Sequence, residues 1–137
     1  MASLPPPVVT QEVHIVDGHG NVRILLSAKS GVPIIQLADA QKKSNVLIST
    51  DEEGRPSIKL NNPVAKGPSA TIEVDNNGTH VKFDHPGGAS SYLFLNNAGG
   101  SGVVFIDAKG VRRLDALVHP DGTLSVDRFE GNDWTRG

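Results

Sequence analysis

Five times in this chain an aspartate is followed three residues later by glycine: Asp17–Gly20, Asp51–Gly54, Asp75–Gly78, Asp84–Gly87 and Asp107–Gly110. The pairing has a backbone reason. An Asx side chain at the first position accepts the turn amides, and glycine at the fourth takes the positive φ of a type I turn closed by a G1 bulge. Asn96–Gly99 and His119–Gly122 keep the offset with a different first residue. With the other Gly, Pro and Asn clusters, reversals recur at roughly 9 to 13 residues, the spacing of hairpins in an all-β protein.

Between the turns, apolar residues alternate with polar ones. Val13 and Ile15 share one face of a strand, and Val22, Ile24 and Leu26 one face of its partner. The same pattern predicts strands over 12–16, 21–27, 32–37, 45–50, 57–61, 70–74, 79–83, 91–95, 102–106, 111–118 and 123–129. The fold class is therefore all-β: an antiparallel meander of about eleven short strands, because the links are too short for parallel crossovers. No stretch keeps helical apolar spacing without Gly or Pro. Pro5-Pro6-Pro7 sets residues 1–11 apart as an extended arm, residues 12–130 form a single β-repeat domain, and 131–137 form a tail around Trp134.

The chain has 137 residues, 37% of them hydrophobic and 4% aromatic, so each strand carries only two or three Val, Ile or Leu residues for a core. Two architectures satisfy that supply. One is an elongated repeat ribbon or β-prism whose apolar face meets copies of itself; the other is a closed up-and-down barrel. A net charge of −2, with acidic and basic residues interspersed, gives no footprint for nucleic acid. No run reaches the ~18 apolar residues of a membrane span, and the N-terminus lacks the basic start and apolar core of a signal peptide, so synthesis in the cytoplasm is expected. The absence of cysteine excludes disulfides and thiolate sites.

Chemistry-bearing patterns are sparse. His14 and His19 bracket the first turn and His80 and His85 flank Val81–Asp84, but neither pair has zinc spacing. Asp75–Gly78 and Asp51–Gly54 come closest to calcium loops, yet they lack the oxygen ladder and the distal glutamate. Glu73, Asp84, Asp115 and Asp127 are the carboxylates placed on or beside strands. No Gly-x-Ser-x-Gly elbow accompanies the serines, and Gly99–Gly102 precedes no helix that could hold a phosphate. The expectation is thus no catalytic residues, no cofactor and no metal. Tyr92 and Trp134 are the residues best suited to contact a glycan.

Four segments are apolar on both faces: Arg23–Leu26, Val32–Ile35, Tyr92–Leu95 and Val103–Ile106. They mark Leu25, Val32, Ile34, Leu93, Leu95, Val103 and Phe105 as interface candidates, since contiguous apolar patches signal association. The phrases Val16–Ser27 and Gly31–Asp39 resemble tandem β-repeat segments of uncharacterised bacterial proteins and phage spike-like β-ribbons, a likeness that returns over residues 101–127. The expected function is that of a non-catalytic, self-associating module, homotrimer or homodimer, with a structural, scaffold or surface-binding role. The alternatives are a barrel that binds or rearranges a small apolar ligand, which would turn Glu73, Arg113 or His80 inward, and a lectin-like domain.

Overall fold

In the computed structural model, residues 3–130 and the strand Asp133–Arg136 are described. Their twelve strands form one antiparallel sheet in strict chain order. They are β1 (Glu12–Val16), β2 (Val22–Ser27), β3 (Ile34–Ala38), β4 (Ser44–Thr50), β5 (Pro56–Leu60), β6 (Ser69–Val74), β7 (Gly78–Asp84), β8 (Ser90–Asn96), β9 (Ser101–Ile106), β10 (Arg112–Val118), β11 (Leu124–Glu130) and β12 (Asp133–Arg136). The first eleven are the expected strands to within two residues, and β12 forms where only a tail was expected. Each strand touches only its chain neighbours, so the described residues form no second layer. At ~4.8 Å per strand the ribbon is about 53 Å long.

The sheet is open, and one line of partners crosses eleven of its strands. Val13 opposes Leu26, Leu26 opposes Ile35, and the line continues through Ile48, Ile58, Ile72, Val81, Leu93, Val103 and Ala116 to Val126 without a shift. Closure requires strand tilt and an accumulated stagger around the sheet. Here β1 and β12 do not pair with each other, and the ladder runs from one edge to the other. The barrel alternative is corrected to an open ribbon.

Three of the five Asp-x-x-Gly turns have the expected chemistry. At Asp17, Asp51 and Asp107 the glycine amide donates to the aspartate carbonyl at 2.9–3.0 Å. One carboxylate oxygen of each then accepts two further turn amides. These bonds hold the three carboxyls below the ordinary aspartate range; at Asp107 the largest cause is the Arg113 side chain.

Two turns differ. Beyond Asp84 the reversal shifts one residue on, to His85–Gly88, because Pro86 sits where its fixed φ suits the second position and Asp84 pairs with Ser90 at the strand ends. At Asp75 the aspartate amide donates to the Gly78 carbonyl at 2.8 Å, and Gly78 opens β7.

A further copy carries lysine in the glycine position. In Asp39–Lys42, the Lys42 amide donates to the Asp39 carbonyl at 3.0 Å, and Lys42 has φ 68°. A side chain in the left-handed region costs about 1–2 kcal/mol. Part of that gain is offset by the greater freedom glycine has when unfolded. Lys42→Gly is therefore expected to stabilise the chain by about 0.5–1 kcal/mol, read from the urea midpoint at fixed protein concentration.

Candidate functional site

Register divides the ribbon into two chemically distinct faces. Beside the row from Val13 to Val126 runs a second: Ile15, Ile24, Leu37, Val46, Leu60, Ala70, Phe83, Ser91, Phe105 and Leu114. From β1 to β10 these two rows carry no charged residue. Among the described residues, charge enters the face at β11, where Arg128 bonds Glu130 at 3.3 Å. Because no second layer exists, this face is uncovered: Ile35, Ile48, Ile58 and Ile72 are each 38–44% exposed, and Leu93 and Leu95 57%.

The opposite face carries Glu12, His14, Arg23, Lys59, Glu73, His80, Lys82, Asp115 and Asp127. It is the better covered of the two, because long polar side chains lie across their neighbours. Val104 and Asp115, cross-strand partners on β9 and β10, are 1% and 2% exposed. The Arg112 guanidinium donates to Asp115 Oδ2 at 3.2 Å and to the Tyr92 hydroxyl at 3.3 Å.

The interface candidates separate accordingly. Leu93, Leu95, Val103 and Phe105 stand together on the apolar face. Leu25 and Ile34 lie on the polar face, and Val32 precedes β3. The segments apolar on both faces are real as a pattern: Leu25, Ile34 and Leu47 lie on the polar face around Gln36, and Tyr92, Phe94, Val104, Ile106 and Leu117 share that face over β8 to β10. They are not buried on both sides: Val104 is the only large hydrophobic the chain itself buries among the described residues.

A groove of about 490 Å³ crosses the polar face over β7 to β9, lined by His80, Lys82, Tyr92, Phe94 and Ile106, with Asp75 and Asn96 at its rim. Tyr92 and Phe94 have ring centroids 6.0 Å apart at 46°. His80 Nε2 lies 2.8 Å from Glu73 Oε1, and its Nδ1 3.6 Å from Asp75 Oδ2. Asp75 is held below the ordinary aspartate range, first by the Asn77 and Gly78 amides. The groove offers ring faces, a histidine–carboxylate pair and an ammonium to a small polar molecule.

Of the remaining candidates, Asp84 reaches Lys82 at 3.5 Å, and Arg113 reaches Asp107 at 2.7 Å. Asp127 faces Asp115 across β10 and β11. Trp134 lies on β12, whose side chains are outside the described residues. Among the described residues no group of His, Asp or Glu is arranged to hold a metal ion, and no helix is long and apolar enough to cross a membrane.

What the sequence left hidden was the register. Alternation shows that each strand has an apolar side. Only the pairing shows that ten such sides, from β1 to β10, line up as one surface without charge. No protein-family model matches the chain, and no curated protein or solved structure matches it.

Proposed function

We propose that this protein is a non-catalytic structural module that assembles with copies of itself, as a homotrimer or homodimer, by burying its apolar face and presenting its polar face outward. The observation that carries this reading is the unbroken apolar face of a sheet with no second layer.

Area supports it. A compact monomer of 14.5 kDa exposes about 6,900 Å². This chain exposes 9839 Å², about 2,900 Å² more, against the roughly 1,000–2,500 Å² or more that obligate interfaces bury on each partner. Part of the excess belongs to the extended arm, where Leu4, Val8 and Val9 are almost fully exposed. Covering the apolar face removes its Ile, Leu, Val and Phe side chains from water, the dominant favourable term in most protein association.

Sedimentation equilibrium at micromolar concentration tests the reading. The expected mass is two or three times 14.5 kDa. A folded species at the mass of one chain overturns it.

A further inference from the structure

A meander delivers its turns alternately to the two ends of the strands, and the ends differ in charge. One end holds the turns Asp17–Gly20, Asp39–Lys42, His85–Gly88 and Asp107–Gly110 and the loop 61–68; the other holds Ala28–Gly31, Asp51–Gly54, Asp75–Gly78, Asn96–Gly99 and His119–Gly122. At the first end Asp17, Asp84 and Asp107 face Arg23, Lys82 and Arg113 at 3.5, 3.5 and 2.7 Å, and Asp39 keeps its charge while accepting the amides of Gln41 and Lys43. Lys42, Lys43, Lys66 and Lys109 project from that end with no carboxylate in ion-pair reach among the described residues. The second end carries Asp51, Glu52, Glu53, Asp75 and Asp121 against Lys29 and Arg55, and Arg55 is already held by Asp51 at 2.6 Å and Glu53 at 3.1 Å.

From this segregation we infer that the copies are arranged cyclically about the long axis of the ribbon, all chains running the same way, with the lysine end of each chain against the acidic end of the next. The inference rests on the self-association proposed above and specifies its partner surface. Rotation about the long axis leaves each turn at its own level. The Lys42–Lys43 tip, between β3 and β4, then lies one strand spacing from the neighbour's Asp51–Glu53 tip, between β4 and β5. Lys66 falls between the Asp51 and Asp75 tips, Lys109 beside Asp121, and the exceptional Lys29 between Asp17 and Asp39.

The alternative two-fold, along the strand direction, also brings apolar faces together but reverses the order of strands. It sets Lys42 and Lys43 opposite Lys109. Like charges in register cost affinity and select against that pairing.

The chain's lack of cysteine makes the test direct. Lys43→Cys and Glu52→Cys are placed in one chain, and Lys43→Cys and Lys109→Cys in another. Each is treated with a short bis-maleimide after its mass has been measured by sedimentation. Links within a chain are out of reach, because β4 separates the first pair by about 23 Å and six strand spacings separate the second by about 29 Å. The expected result is that the first pair yields covalent species up to the full mass of the assembly and the second yields single chains. Linking through the second pair, or an assembly that links through neither, overturns the cyclic arrangement while leaving self-association intact. Sedimentation at the mass of one chain removes the self-association reading, and the arrangement falls with it.

Discussion

On the self-association proposed above, Ile58→Asp is expected to leave single chains at micromolar concentration. Ile58 stands near the middle of the apolar row, opposed by Ile48 and Ile72, and is 38% exposed in the isolated chain. In a free ribbon a carboxylate there keeps much of its water, and an exposed strand substitution of this kind costs about 1 kcal/mol or less. Between two apolar faces the same carboxylate loses its hydration and finds no counter-charge, which costs several kcal/mol per chain. Each copy contributes one such group, so association should weaken by at least a hundredfold. Lys59→Asp is the control, since it introduces the same residue one position along, on the polar face. Sedimentation should show the Ile58 variant at the mass of one chain and the Lys59 variant at the mass of the parent. Equal masses for both would mean that the apolar face is not the contact.

Period-two alternation in Val13–Ile15 and Val22–Leu26, and the turn chemistry at Asp17, Asp51 and Asp107, made the strands and their antiparallel order legible, because both depend on residues close in the chain. The open form was not legible. Closure depends on the tilt of all the strands together, which no single hairpin encodes, and the frames of several turns are set by positions that hide their role. Lys42 occupies a glycine site in the Asp39 turn, so that reversal does not read as a copy of the others. The Asp84–Gly87 pattern holds the right residues one position too early, and Pro86 decides between the frames.

The candidate site shows the same limit. Leu93, Leu95, Val103 and Phe105 stand on the apolar face. Leu25 and Ile34 are equally apolar in sequence, but parity alone does not say which side of a strand meets the common surface. The His80–Glu73 pair joins residues seven apart that become cross-strand partners only through the β6–β7 register. The buried Asp115 depends on Arg112 and Tyr92, which arrive from β10 and β8.

Gly78→Ala is expected to destabilise the chain by about 3 kcal/mol or more, the largest effect of any single methyl added to a turn. Gly78 opens β7 at φ 154°, and a Cβ there would lie 2.3 Å from the Leu95 carbonyl oxygen and 2.5 Å from the Asn96 Cα. Both are backbone atoms of β8, so no side-chain rotation relieves the contact, and relief must come from displacing one strand against the other. That displacement strains the pairing of Gly78 with Asn96 and the bond from the Asn97 amide to the Asn77 carbonyl at 2.7 Å. It also shifts the floor of the groove between His80 and Phe94. Gly54→Ala separates this cause from backbone preference alone: Gly54 has φ 80°, and a Cβ there meets nothing within 4 Å. Its cost should be that of a left-handed alanine, about 1 kcal/mol. Urea unfolding of both variants at one protein concentration gives the comparison. If the Gly78 variant loses no more stability than the Gly54 variant, β8 does not press on β7 at this point, and the close strand approach that fixes this stretch of the ribbon is wrong.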